Sequence, residues 1–166
     1  MTELTGAIAS KLLKTIVADY NFWGESEGDS PLAVKRAKVP LDEKKILALD
    51  ASARKKAEQI EGYKAPERTI VTKTLDEVFK PLVTSSLLQL EGKSNSILEG
   101  TLTIESLESA AEATEYYIQL YSAFKQLNSP KVCYVEDASD PYTGMFIIGT
   151  SADGQTVFAQ SLLIQT

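Results

Sequence analysis

The stretch that decides the fold is residues 131–166, KVCYVEDASDPYTGMFIIGTSADGQTVFAQSLLIQT. An Asp-Gly pair at 153–154 and a DPYTG turn at 140–144 divide it into three apolar runs. Each run is rich in Val, Ile, Phe, Tyr and Leu, which predicts a β-strand. Because short turns join antiparallel neighbours, we expect three antiparallel strands. Their predicted bounds are residues 132–136, 145–150 and 156–164.

None of the three runs alternates cleanly between apolar and polar residues. In the first run, Val132 and Tyr134 point to one face of the strand, and Cys133 and Val135 point to the other. A strand that is apolar on both faces is covered on both faces. The rest of the chain is therefore expected to supply helices for both sides of the sheet. The last run reaches Thr166, so we expect this end of the sequence to be ordered by the sheet.

Two further segments carry clear helical patterns. The first runs to about Tyr20, with Thr2 as its N-cap. Its apolar stripe is Leu4, Ile8, Leu12 and Ile16. The second covers residues 104–127 and shows acidic side chains on its outer face. Its apolar stripe is Leu107, Ala110, Ala111, Ile118 and Tyr121.

The middle of the chain gives weaker signals. Residues 32–38 predict a peripheral strand crowded by basic side chains. Residues 41–60 predict a helix, and Thr74 opens another with a capping box to Glu77. Pro81 should kink or shorten that helix, and residues 87–101 are predicted to be loop because of their Gly, Ser and Asn content. The apolar face of the 41–60 helix is predicted to be Ile46, Leu49, Ala53, Ala57 and Ile60.

This order of elements predicts an α+β fold. The specific expectation is a single domain over residues 1–166, built as a three-layer α/β/α sandwich. Its central sheet is expected to be mainly antiparallel with about four strands. Neither an internal repeat nor a linker divides the 166 residues.

Charge and composition narrow the classes of function. The net charge of −6 disfavours binding to nucleic acid or to an anionic membrane. The charge is uneven, since residues 31–68 carry ten basic and six acidic groups and are locally positive. The sequence lacks a membrane span and the pattern of a signal peptide, so we expect a cytoplasmic protein. A single cysteine excludes an internal disulfide, which fits a reducing compartment.

The sequence contains no histidine, which removes the usual general base, the Ser-His and Cys-His pairs and histidine metal sites. Cys133 is predicted to be a buried apolar filler rather than a reactive thiol. Two acidic clusters, at residues 25–29 and 136–140, fit either solvated turns or sites for a hard cation. These residues alone therefore predict a non-enzymatic protein without a cofactor.

Several short motifs resemble the cyanobacterial nuclease A inhibitor family. Residues 22–27, FWGESE, are similar to an F-x-x-E-S-E turn that follows the first helix of that family. Residues 74–85 resemble its middle helix, and residues 128–132 and 146–150 resemble its N-P-x-V strand and V-I-G-x-T hairpin. The terminal Thr166 matches a C-terminal threonine of the family.

The resemblance implies an inhibitor of a sugar-non-specific, metal-dependent nuclease of the ββα-metal type. The acidic turn and the chain's end would enter the nuclease active site, and Thr166 would approach the cation bound by the nuclease. The nuclease-binding residues it implies are Trp23, Glu25, Ser26, Glu27, Gln165 and Thr166. We expect a monomer in a 1:1 complex, with no direct binding to nucleic acid or membrane.

An alternative is a binding domain of another class. It would use the basic helical region at residues 41–60, where Lys44, Lys45, Arg54, Lys55 and Lys56 surround the apolar face. An enzyme ranks third because histidine is absent.

Overall fold

The computed structural model describes residues 4–59, 61–137 and 139–165. Its helices are α1 (Gly6–Val17), α2 (Glu43–Glu58), α3 (Leu75–Leu98) and α4 (Ile104–Lys125). Its strands are β1 (Ala33–Ala37), β2 (Thr69–Thr74), β3 (Asn128–Glu136), β4 (Tyr142–Thr150) and β5 (Thr156–Ile164). The mixture of helices and strands confirms the α+β class.

The strands form one antiparallel sheet in the order β1-β5-β4-β3-β2. The three C-terminal strands are its centre, as predicted. The sheet has five strands rather than about four, because β2 was not predicted. Only Ile70 and Val71 of β2 are apolar, and the strand exists because it pairs along β3, with Thr72 opposite Cys133.

The central strand β4 is buried on both faces, with residues 143–149 inaccessible to solvent. Met145 and Ile147 join a large core cluster that also contains residues of α1, α3 and α4. Phe146 and Ile148 join a second cluster, which includes Ile46 of α2. The two-sided apolarity of the sequence therefore corresponds to two separate hydrophobic clusters, divided by the sheet.

Helix α1 is capped by Thr5, whose side chain accepts from the Ile8 amide, and it ends at Val17. The predicted cap, Thr2, lies outside the described residues. The predicted stripe was wrong in part, because Ile8 is 55% exposed whereas its neighbour Ala9 is buried. The buried face lies one residue further along the helix, where small Ala9 allows close packing.

Helix α2 buries a different face from the predicted one. Ile46 is buried, but the next turns bury Asp50 and Arg54, both of which are fully inaccessible. Leu49 and Ala53 are only half-buried, and Ile60 lies outside the described residues. Spacing of four residues places Ile46, Asp50 and Arg54 on one side of the helix.

Helix α3 opens with the predicted capping box of Thr74 and Glu77. Pro81 does not shorten it, and the loop predicted for residues 87–101 was wrong as far as Leu98. The hydroxyl of Ser94 donates to the Leu90 carbonyl, and the hydroxyl of Ser96 donates to the Gly92 carbonyl. Back-bonding of this kind satisfies the hydroxyls but adds no helix stability, so packing against α4 is what lets these poor helix formers continue the helix.

Helix α4 matches its predicted extent closely, but its stripe is shifted. Tyr116, Tyr117 and Leu120 are buried, whereas Ala111 and Ile118 are exposed. No helix in the described ranges is both long enough and apolar enough to cross a membrane.

Candidate protein-binding site

The acidic turn, defined as residues 24–30, lies between α1 and β1 and is anchored by Trp23. The Trp23 indole is fully buried and meets the rings of Phe79 and Tyr117 edge-on, at centroid distances of 5.8 and 5.4 Å. Its side chain is therefore part of the core, which corrects its prediction as a contact residue. The neighbouring Phe22 is 52% exposed and is the aromatic ring that lies at the surface.

Glu25 is exposed, yet its carboxylate is held in place. The Trp23 indole N–H donates to Oε1 at 3.0 Å, and the Tyr134 hydroxyl donates to the same oxygen at 2.8 Å. No described residue donates a hydrogen bond to Oε2 of Glu25. Two donors from the core thus fix one oxygen and leave the other directed away from them.

The tyrosines under the turn keep their protons at neutral pH. Burial raises the pKa of the Tyr134 hydroxyl, and the nearby Glu25 carboxylate raises it further. Burial also raises the pKa of Tyr117 to about 12. The Tyr117 hydroxyl accepts the Gly24 amide at 2.7 Å, so the start of the turn is tied to α4.

Ser26 ties the turn to the end of β5. Its hydroxyl oxygen accepts the Ile164 amide at 2.9 Å and the Ser30 hydroxyl at 2.7 Å. The Glu27 amide donates to the Ile164 carbonyl at 2.8 Å. Ser26 is therefore a structural hydrogen-bonding residue within the site, and Glu27 follows it with an exposed position.

Gln165 lies beside the acidic turn. Its side-chain amide donates to the Glu25 carbonyl at 3.0 Å, and its side-chain oxygen accepts the Thr143 hydroxyl at 2.9 Å. Its backbone amide donates to the Pro141 carbonyl at 2.7 Å. The structure thus brings Gln165 together with Glu25, Ser26 and Glu27, although about 140 residues separate them in sequence. The remaining predicted site residue, Thr166, lies outside the described residues.

Two carboxylates of the second acidic cluster, residues 136–140, make contacts within the fold. Asp140 pairs with the buried Arg54 at 2.8 Å, and the Asp137 carboxylate accepts the Ser139 hydroxyl at 2.7 Å. Within the described part of the chain, no group of three or more His, Cys, Asp and Glu side chains could hold a metal ion. Cys133 is buried, with its sulfur 3.6 Å from the Thr72 hydroxyl.

The basic helical region divides into two parts. Lys44, Lys45, Lys55 and Lys56 are exposed, but Arg54 is fully buried. Arg54 bonds Asp50 at 2.7 Å and the Val135 carbonyl at 2.9 Å. Arg68 also pairs with Asp50. Arg54 therefore connects α2 to the sheet and is not part of a basic surface.

Two residues of the site were missed by sequence reasoning, Tyr134 and Tyr117. In sequence, each is an aromatic residue inside an apolar pattern, which predicts core packing only. The need of a buried hydroxyl for a polar partner was the one available signal. That signal does not indicate which partner is used.

No protein-family model matches this sequence, and neither does any curated protein.

Proposed function

We propose that this protein inhibits a sugar-non-specific, metal-dependent nuclease of the ββα-metal type by plugging its active site. The observation that carries the proposal is the carboxylate of Glu25, which is exposed and yet fixed by Trp23 and Tyr134. This is the geometry that a rigid substitute for a phosphate requires.

The physical reasoning starts from the partner. A nuclease cleft attracts phosphate, so it is positively charged and holds a divalent cation. A protein that blocks it needs oxygen anions on a rigid frame, because ordering a loop on binding costs free energy. The hydrogen bonds of Ser26 and Gln165 to the turn and to β5 hold the Glu25 backbone in advance. Attraction between opposite charges would also speed association.

The other predicted residues have supporting roles in this proposal. Glu27 adds a second carboxylate, and the Gln165 side chain holds the Glu25 carbonyl. Phe22, which was not among the predicted site residues, offers exposed apolar area. Thr166 would present its hydroxyl to the cation of the nuclease, since Mg²⁺ prefers oxygen ligands. Trp23 contributes from the core, where the hydrogen bond of its indole N–H positions Glu25.

The proposal extends to assembly and architecture. The protein acts in the cytoplasm as a monomer in a 1:1 complex, has no catalytic activity or cofactor of its own, and binds neither nucleic acid nor membrane directly. Its fold is a three-layer α/β/α sandwich. The separate clusters on the two faces of β4, one with α1, α3 and α4 and one with α2, support that layering.

Titration of ββα-metal nucleases in a plasmid-nicking assay with Mg²⁺ tests the proposal. We expect the wild type to inhibit and Glu25→Ala to lose about 2–5 kcal/mol of binding free energy, as charged hot spots do. Glu108→Ala is the matched control, because Glu108 is an exposed acid on α4. Pure protein should not nick the plasmid by itself.

Deletion of Thr166 tests the role of the chain's end. It removes the hydroxyl that would approach the cation of the nuclease, whose oxygen ligands lie at about 2.0–2.6 Å, so we expect weaker inhibition. A tag placed after Thr166 should weaken inhibition by keeping this hydroxyl out of the cleft, whereas an N-terminal tag should not. If folded Glu25→Ala and the deletion both inhibit as tightly as the wild type, the proposed binding mode is wrong.

A further inference from the structure

A groove runs between the edge strand β1 and helix α2, on the opposite side of β1 from α1. Two adjoining cavities of about 570 and 460 Å³ form it, and Lys35 and Leu49 line both. One end lies beside Asp29 and Ile164, and the other lies beside Leu41. The N-terminal half of α2 therefore flanks the C-terminal half of β1, and the groove follows the strand.

The floor of the groove is apolar and its rims are basic. Ala53, Leu162 and Ile164 contribute to the floor of the larger cavity, and Phe158 contributes to that of the smaller one. Lys56 lines the larger cavity, and Lys45 and Arg36 line the smaller. Asp29 is the single acidic residue among the lining residues of the two cavities. The groove thus offers apolar contact area under a positive potential.

Lys35 is placed by the protein rather than left free in solvent. Its ammonium group donates to Oε1 of Gln160 at 3.1 Å. Gln160 is only 5% exposed, and its amide donates to the Leu49 carbonyl at 3.1 Å. A buried amide that bridges β5 and α2 therefore holds a cation at the point where the two cavities meet.

The strand beside the groove has a free edge. β1 is the first strand of the sheet and pairs with β5 on one side, and no described residue pairs with its other side. Such an edge presents backbone N–H and C=O groups in the pattern that an added strand requires. Five residues of β1 span about 16 Å, and α2 between Lys45 and Lys56 rises by about 16 Å. An extended segment of about five residues therefore fits both walls.

We propose that this groove binds an extended, acidic segment of a partner protein as a sixth strand beside β1. Alternate side chains of the segment would enter the groove, and its carboxylates would meet Lys35, Lys45 and Lys56. This surface is separate from the acidic turn, and the inference does not depend on nuclease inhibition.

The positive charge of the groove determines which kind of partner it can bind. Pairing of β1 with β1 of a second copy would bring Lys35 and Arg36 of each strand together, and like charges on paired strands are destabilising. Single-stranded nucleic acid shares the negative charge, but the lining residues include one aromatic ring in each cavity, Tyr142 and Phe158, which is too few for successive bases to stack on. An acidic peptide satisfies the charge, the apolar floor and the free strand edge together.

The test uses fluorescence anisotropy with a labelled peptide of about eight residues in which pairs of Glu alternate with pairs of Val, so that each face of the extended peptide carries both residue types. We expect it to bind the wild type and the Lys–Val counterpart not to bind. Lys35→Glu/Lys56→Glu should weaken binding at least about tenfold, which corresponds to about 1.4 kcal/mol. Lys80→Glu/Lys125→Glu is the matched control, because both lysines are more than half exposed and lie on α3 and α4. This control should bind the peptide like the wild type.

Backbone chemistry separates strand addition from charge attraction alone. Two versions of the peptide, N-methylated at every odd or at every even position, keep all side chains but remove alternate N–H donors. One of them should lose binding, and the amide signals of β1 should shift when the parent peptide is added. The proposal is overturned if the parent peptide fails to bind at about 1 mM, which corresponds to about −4 kcal/mol. Equal binding by both methylated peptides, or binding of oligothymidylate in place of the peptide, also overturns it.

Discussion

The hydroxyl of Tyr134 donates a 2.8 Å hydrogen bond to Oε1 of Glu25 across 109 residues of sequence. Tyr134 belongs to β3, near the centre of the sheet, and its side chain is only 4% exposed. Glu25 lies on an exposed turn. The bond therefore joins the buried part of the sheet to the carboxylate on which the proposed function depends.

Tyr134→Phe removes this bond and keeps the ring. Hydrogen bonds to charged groups contribute about 1.5–3 kcal/mol, so we expect weaker positioning of Glu25 and about tenfold weaker nuclease inhibition. The control is Tyr121→Phe, because the Tyr121 hydroxyl donates to Asp76 at 2.6 Å on a different surface. Both variants should lose some stability to urea, but only Tyr134→Phe should lose inhibition. Equal inhibition by the two variants would show that Glu25 needs no support from Tyr134.

Arg54→Leu tests the buried ionic network. Arg54 bonds Asp50, Asp140 and the Val135 carbonyl while fully inaccessible to solvent. Its removal leaves the Asp140 carboxylate without this cation and Asp50 with Arg68 as its remaining cationic partner, which should cost about 3–5 kcal/mol of unfolding free energy. The adjacent Lys55→Leu, at an exposed position, should change stability by less than about 0.5 kcal/mol. Urea unfolding of both variants measures the difference, and similar losses would place the importance of Arg54 elsewhere.

The part of the fold that could be predicted from the sequence is the part in which residue type alone indicates burial. The strands β3, β4 and β5 are apolar on both faces, so their place at the centre of the sheet followed from sequence. Strand β2 carries three threonines and a lysine beside its two apolar residues, and it is defined by pairing with β3 rather than by its own pattern. Asp50 and Arg54 have the spacing of a solvated helix pair, and only the packing of α2 shows that they are buried.

The residues of the candidate site could be predicted from the sequence, but the side chains that hold them in place could not. Glu25, Ser26 and Glu27 follow from a short motif, and their proximity to Gln165 was implied by the resemblance. Nothing in the sequence indicates that Trp23 points inward and Phe22 outward, because both are large aromatics beside a turn. The hydrogen bond from Tyr134 depends on tertiary structure alone.

Asp153 makes the start of α1 sensitive to pH. Its Oδ1 accepts the Gly6 amide at 2.8 Å, and the Ser151 hydroxyl donates to the same atom. The bond from Ser151, followed by that from the Gly6 amide, lowers the pKa of Asp153 below its ordinary value of 3.8. A folded pKa below the unfolded one means that the carboxylate stabilises the fold above pH 3.8, and that this contribution is lost as pH falls through the folded pKa.

Asp153→Asn should therefore be less stable than the wild type at neutral pH and nearly equal to it at strongly acidic pH. Urea unfolding of both proteins at a series of pH values measures this gap. A gap that stays constant across the series would show that the charge of Asp153 contributes nothing to stability.

Two glycines provide a paired test of packing. A Cβ at Gly144 in β4 would overlap Oδ1 of Asp50. Arg54 and Arg68 hold this carboxylate in place through its other oxygen, Oδ2. Because this carboxylate has little freedom to shift, Gly144→Ala should cost about 1–3 kcal/mol of unfolding free energy. Gly92 lies inside α3, is exposed, and has no heavy atom within 4 Å of an added Cβ. Gly92→Ala should stabilise the protein by about 0.5–1 kcal/mol, because alanine has the higher helix propensity. Thermal and urea unfolding of the two variants should move in opposite directions, and a stabilising Gly144→Ala would mean that the contact between Asp50 and β4 is not tight.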